Sequence, residues 1–336
     1  MKTKRRTKTR VIATVLAAIL LLLCIALAFV GNFLFEFALY PEARFTMNDL
    51  FQTGDVEGIG DGPVVELTPA RQAWREYAAE AYEWFEADGQ PVELEQRITG
   101  EPSWRHAFWF PQEGHKYIIL FHGYQSNALS MAPYGKVFYD MGYSVLIPDA
   151  LAHGDSDGKY IGMGWLERPD VLSWIDSITG IDPDAEIVLH GVSMGGATVM
   201  MAAGEDLPVN VKCIVEDCGY SSVWDEFRLQ LKNVFHLPAF PILNVASLVS
   251  KIRAGYTFGE ASSVKQLQKA AVPMLFIHGD ADTFVPFSML DVVYNACASM
   301  EKEKLVVHEA AHGAAVDTDP ELYWNTVVSF VEKYVG

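Results

Sequence analysis

The sequence predicts an α/β domain with a mainly parallel central sheet, helices on both faces, a helical cap insertion and an N-terminal transmembrane helix. Three observations predict it. From residue 92 onward, short apolar and β-branched runs alternate with helix-like stretches, the pattern of buried strands joined through crossover helices. The interval 219–268 breaks that rhythm but is rich in aromatic and apolar residues (Trp224, Phe227, Phe235, Phe240, Leu243, Phe258). It is far longer than an ordinary connection, so it reads as a helical cap over the strand ends. Finally, a basic tail and a long uncharged run open the chain.

The elements follow in order. Residues 1–10 carry Lys2, Lys4, Arg5, Arg6, Lys8 and Arg10 with no acid, and 11–30 has no charge. At ~1.5 Å per residue such a run can cross a ~30 Å hydrocarbon layer. The positive flank keeps the tail in the cytoplasm and exports the remainder. The expected division is a basic cytoplasmic tail (1–10), a transmembrane signal anchor (11–34), a linker with an amphipathic helix (35–90) and the α/β domain (91–336). Ala26-Leu27-Ala28 has the small-x-small form of a cleavage site, so secretion after cleavage is the alternative. The triplet lies inside an apolar run that continues through Phe33–Phe35, which favours the uncleaved anchor.

Between 68 and 88, Trp74, Tyr77, Ala78, Ala81, Trp84 and Phe85 recur at spacings of three and four, which predicts an amphipathic helix used for packing. Segments 92–99 and 104–110 read as an antiparallel opening pair. Segments 117–121, 144–147, 186–190, 211–216, 274–277 and 305–307 read as further strands. Helices are expected at 131–141, 167–179, 195–204, 287–300 and 321–334. The formal net charge of -18 argues against a nucleic-acid partner. Of four cysteines, Cys24 lies in the apolar run, and Cys213, Cys218 and Cys297 show no CxxC spacing, so neither a disulfide framework nor a zinc site is expected.

The chemistry centres on residues 187–197, IVLHGVSMGGA. An apolar strand ends near Gly191, a Gly/Ala-rich segment begins at Gly195, and Ser193 stands between them in a G-x-S-x-G elbow. The glycines leave room for a serine held in a strained strand-to-helix turn. A serine hydroxyl needs a base, and the base needs an orienting carboxylate. Asp280 and Asp282 follow one late strand, in FIHGDADTFVP, and His308 and His312 follow the last, in VVHEAAHGAAVD. Asp217, at the end of the strand before the cap, is a rival acid. The amide of Met194, after the nucleophile and at a helix N-terminus, suits one oxyanion donor. The loop HGYQSN suits the other.

In family order, the stretches FHGYQSN, PDALAHGDSDGKYIGMG, HGVSMGGAT, HGDADTFVP and AAHG resemble the α/β-hydrolase superfamily, particularly its membrane-anchored extracytoplasmic bacterial serine hydrolases. The resemblance spans about residues 92–334. It implies an α/β-hydrolase fold with Ser193 as nucleophile, Asp282 as acid and His312 as base, and it assigns the second oxyanion amide to Tyr124. The residues agree on the choices within each pair. His312 precedes Gly313 in a loop, whereas His308 lies nearer its strand. Asp282 lies further beyond its strand than Asp280, which is expected to fix the turn. His122, His153, His190 and His278 each precede glycine, and in the family this residue serves loop hydrogen bonding. They lack metal-ligand spacing such as HExxH, and Asp149, Asp155 and Asp157 share one loop without further sign of a cation. Neither a cofactor nor a metal is expected.

The expected activity is hydrolysis of a carboxylic ester through an acyl-enzyme, with an apolar acyl or lipid-like substrate favoured by the cap and the membrane helix. Thioesterase and peptidase or amidase activity share the mechanism, and a non-catalytic binding module on the same fold is the alternative from another class. The sequence leaves the oligomeric state open.

Overall fold

Ile118 and Leu120 face one side of strand β3 (Lys116–Phe121), and Tyr117, Ile119 and Phe121 face the other; all five are buried. A strand apolar on both faces must lie inside a layered sheet. The computed structural model describes residues 2–43, 67–98 and 101–336. Thr99, the expected end of the first strand, and most of the expected linker, 44–66, lie outside them.

Eight strands form one sheet in the order β1-β2-β4-β3-β5-β6-β7-β8. The others are β1 (Gln90–Ile98), β2 (Glu101–Phe110), β4 (Ser144–Pro148), β5 (Glu186–Val192), β6 (Val211–Asp217), β7 (Met274–Gly279) and β8 (Lys302–Val307). β1 and β2 pair antiparallel, as expected, β2 joins β4 antiparallel, and every remaining pairing is parallel. The ends of β3, β5, β6, β7 and β8 therefore emerge together, and in such sheets this is where sites form.

Helices cover both faces. On one side lie α2 (Pro69–Asp88), α3 (Ala132–Asp140) and α11 (Pro320–Val331), which contribute Trp84, Phe138 and Tyr323. On the other lie α4 (Arg168–Ile181), α5 (Met194–Ala202) and α9 (Ser288–Ala296), which contribute Trp174, Val199 and Leu290. The helix expected at 287–300 ends early, because Cys297 is already extended (φ -66°, ψ 121°). The long interval folds into α6 (Val223–Phe235), α7 (Ile242–Arg253) and α8 (Ser263–Leu267). A short α10 (Ala315–Thr318) precedes α11.

α1 runs unbroken from Lys2 to Leu39, past residue 34, where the sequence places the end of the anchor. Its stretch 11–30 is almost wholly exposed. Phe35, Phe37, Ala38 and Leu39 are buried in a cluster with Tyr160, Ile161, Leu243 and Ala246. No proline intervenes before Pro41, and this packing holds the last turns helical. The Arg253 guanidinium reaches Asn32 Oδ1 (2.6 Å) and Glu36 Oε1 (2.7 Å), and Ile161 N–H donates to the Leu39 carbonyl (2.8 Å). The apolar helix is thus fastened to the domain by its C-terminal third.

Candidate active site

The elbow is shaped by backbone crowding. Ser193 sits at φ 57°, ψ -115°, a region an L-residue enters only when its surroundings force it. A Cβ at Gly191 would lie 2.1 Å from the Gly195 carbonyl oxygen, and one at Gly195 would lie 2.0 Å from that of Phe121. Only glycine fits at either place, because strand, turn and neighbouring strand pass in direct backbone contact. Ser193 N–H donates to the Asp217 carbonyl (2.8 Å), which ties the turn to β6.

Ser193 Oγ lies 2.8 Å from His312 Nε2, and His312 Nδ1 lies 2.7 Å from Asp282 Oδ2. Strands β5, β7 and β8 bring these groups together from positions 119 and 30 residues apart. Asp282 Oδ1 accepts the N–H groups of Phe284 and Val285, each at 3.0 Å. Burial works to raise the Asp282 carboxyl. The His312 charge and the hydrogen bonds of both His278 and His312 outweigh it and hold the group below the ordinary carboxylate range.

The unselected member of each pair lies elsewhere. His308 is exposed and bonded to Asp280 (2.7 Å), so the two form a surface pair that closes the turn, and Asp280 Oδ1 also accepts the Glu309 amide. The rival acid Asp217 is buried beneath the site, and burial pushes its carboxyl up to about 6. Asp282, not Asp217, holds the hydrogen bond to His312.

The expected oxyanion donors flank the same serine. Met194 opens α5 directly after Ser193, and Gly123 touches Ser193 so closely that an added Cβ would sit 3.5 Å from its Cβ. Among the described residues, neither the Met194 nor the Tyr124 N–H has an acceptor. The arrangement can therefore deprotonate a hydroxyl, attack a carbonyl, and present two free backbone donors to the resulting charge.

A cavity of about 490 Å³ opens over Ser193 and His312. Trp74, Ala78 and Tyr82 of α2 line part of it, with Tyr134, Phe284 and Val316. The sequence reads the α2 stripe as packing, and Trp84 and Phe85 do pack, against Phe110. Its other turns reach the site. A 3.6-residue period reveals an apolar face but not which turns of that face end over a cavity.

Comparison with known proteins accords with the fold. The family model described as Serine aminopeptidase, S33, matches residues 112–231. The chain is similar to a thermostable monoacylglycerol lipase of Bacillus sp. (strain H-257), 24% identical over 68% of this chain and 95% of the lipase. It is also similar to the uncharacterized protein YqkD of Bacillus subtilis (strain 168), 27% identical over 66% and 73% of the two chains. The solved structure of the Pyrococcus furiosus esterase Pf2001 superposes with a TM-score of 0.61 at 22% identity, covering 76% of this chain and 96% of the esterase. The chain belongs to the α/β-hydrolase superfamily.

Two further histidines of this hydrolase build the loop that carries Tyr124. His122 Nε2 accepts from Ala150 N–H (3.0 Å) and its Nδ1 bonds the Gly123 carbonyl (2.8 Å). His153 Nε2 accepts from Gln125 N–H (3.0 Å), and its Nδ1 bonds the Leu151 carbonyl (2.9 Å). Burial lowers the two imidazoles to about 4 and about 3, so both stay neutral and can accept those amides. Asp149 accepts the N–H groups of Ala128 and Asp155, and Asp157 accepts that of Trp104. His278 departs from simple loop bonding. Its Nε2 lies 2.9 Å from the Val285 carbonyl and 3.2 Å from Asp282 Oδ2, which makes it a positioning residue behind the acid. Its i,i+4 spacing to Asp282 is visible in the sequence, but nothing local says that this loop curls back on itself.

Proposed function

We propose that the hydrolase cleaves carboxylic esters through an acyl-enzyme, and that α1 anchors it in the cell membrane with its catalytic domain on the extracytoplasmic side. The observation that carries the reading is the unbroken line from Ser193 Oγ to His312 (2.8 Å) to Asp282 (2.7 Å) at the floor of an open cavity. In this mechanism His312 Nε2 takes the Ser193 proton as Oγ attacks the ester carbonyl. The oxyanion forms against the amides of Tyr124 and Met194. His312 then protonates the departing alcohol, and a water activated by the same imidazole releases the acid. Asp282 holds the imidazole in the tautomer that leaves Nε2 free to accept.

Two observations support an apolar substrate. The monoacylglycerol lipase named above is a relative over most of its length, and α1 offers a span of 29 residues, Val11–Leu39, apolar enough to cross a bilayer. The basic tail supports the orientation. Thioesters and activated amides share every step, and the S33 description keeps amide cleavage as the second activity to measure.

The test is labelling by a fluorophosphonate together with turnover of p-nitrophenyl esters from butyrate to palmitate, with a thioester and a p-nitroanilide alongside. Wild type is expected to label and to prefer esters, and Ser193→Ala to lose both labelling and turnover while keeping its unfolding transition. A folded wild-type chain that fails to label would favour a binding module. Labelling that survives Ser193→Ala would move the nucleophile elsewhere.

A further inference from the structure

We infer that the acyl tail of a membrane-resident ester lies in the seam between the cap and the N-terminal helix, so that α1 forms a wall of the substrate site as well as an anchor. The inference rests on the ester-hydrolase reading above and specifies where its substrate binds.

Besides the open cavity, Ser193 borders a second, small chamber of about 20 Å³, lined by Met163, Tyr220, Phe227, Gln230 and Val285 among others. A cleft of about 40 Å³ lies further out, formed by Leu34, Phe37 and Ala38 of α1 with Leu243, Ala246 and Phe258 of the cap. Phe227 and Gln230 line both spaces. These two side chains stand between the spaces, and their movement would join them into one path from the nucleophile to α1. Tyr124 spans the same interval: it lines the chamber at Ser193, and its hydroxyl donates to the Ala38 carbonyl (2.6 Å).

The cleft lies where the cap packs on the last turns of α1. Gly31 meets Val245 and Ala246, while Asn32 and Glu36 meet Arg253 further along α7. Phe235, immediately before the loop 236–241, packs edge-on against Phe37 of α1 (5.3 Å). Phe240 in that loop is 78% exposed, and Ile252 and Leu248 are exposed on α7. Exposed apolar side chains beside an apolar helix suit contact with lipid.

The open cavity mixes Ser126, Ser130 and Asp317 with apolar walls such as Trp74, Phe284 and Val316, so it can take the departing alcohol and is the rival place for the tail. Glu226 also borders the inner chamber. Burial pushes its carboxyl up to about 8, so at neutral pH no net charge opposes an apolar tail. Both compartments are about the size of one or two water molecules. Admitting a chain therefore requires Phe227 and Gln230 to turn, and Gln230 to release its bonds to Glu226 (2.7 Å) and the Phe284 carbonyl (3.0 Å).

The test uses the full chain in lipid nanodiscs and an alkyl fluorophosphonate carrying a diazirine at the end of its tail. Ser193 Oγ displaces fluoride, the probe is photolysed, and the crosslinked peptides are mapped by mass spectrometry. Crosslinks at Leu34, Phe37, Phe235 or Leu243 are expected. Crosslinks at Trp74, Tyr82 or Val316, or to lipid alone, would overturn the assignment. Absence of phosphonate on Ser193 would overturn the hydrolase reading itself, and the assignment with it. Leu34→Trp adds a second measurement. With label stoichiometry reporting a folded site, the ratio of palmitate to butyrate hydrolysis should fall at least tenfold, and a ratio within twofold of wild type counts against the seam.

Discussion

Asp282→Asn separates charge from shape at the site. Asp282 is 4% exposed and its carboxylate meets four donors: the amides of Phe284 and Val285 on Oδ1, and His312 Nδ1 and His278 Nε2 on Oδ2. An asparagine can keep its oxygen on the two amides, which leaves its NH₂ facing the two imidazoles. His312 Nδ1 must then accept, so its proton moves to Nε2, 2.8 Å from Ser193 Oγ. That nitrogen becomes a donor and can no longer take the serine proton. A wrong-tautomer histidine costs about 10⁴ in kcat, which at 1.36 kcal/mol per tenfold is about 5 kcal/mol of transition-state stabilisation. The loss of charge-assisted hydrogen bonds costs about 1.5–3 kcal/mol of folding stability, a separate quantity read from urea denaturation. The assay is kcat for p-nitrophenyl butyrate at saturating substrate. A loss below tenfold in the folded variant would refute the role given to Asp282, and a loss of about 10⁴ in Asp217→Asn in its place would transfer that role to Asp217.

Two other outcomes follow from the structure. Gly195→Ala places a Cβ 2.0 Å from the Phe121 carbonyl oxygen, a backbone clash that no rotamer relieves, so Tm should fall by several degrees and the labelling rate should collapse; an unchanged Tm with normal labelling would mean that the elbow is not under this constraint. Glu226→Gln should gain stability relative to wild type as pH rises. The folded-state pKa of Glu226, about 8, lies above its unfolded value, so its contribution is fully present below the unfolded pKa and is lost as pH rises through about 8, by up to about 1.4 kcal/mol per pH unit. Urea midpoints of both proteins at pH 5 and pH 8 check this. A constant difference between the two would show that the carboxyl titrates normally.

Much of the molecule is legible in the sequence because its determinants are local. Ile118 and Leu120 against Ile119 and Phe121 announce a strand buried on both faces. The glycines around Ser193 announce a turn too crowded for any side chain. The order Ser193, Asp282, His312 is legible through the resemblance to the α/β-hydrolases, and parallel strands explain why the three ends emerge on one side. Helix boundaries such as Ala296 are less legible, because tertiary packing rather than periodicity ends those helices.

What only the tertiary structure decided lies in contacts between distant segments. Tyr124 and Ala38 are 86 residues apart, and the tie between them turns an apolar helix into part of the domain. Hydropathy records that the stretch through Leu39 is apolar; it cannot say that residues 31–39 meet protein while 11–30 do not. Likewise Trp74 and Tyr82 share a stripe with Trp84 and Phe85, yet only the docking of α2 beside α3 and α11 sets the first pair over the cavity and the second in the core. The sequence alone determined the sheet and the elbow, because backbone sterics and strand pattern are properties of neighbouring residues. The walls of the site were decided by the fold, because a wall depends on which surfaces meet, and that is set by burial summed over the whole chain.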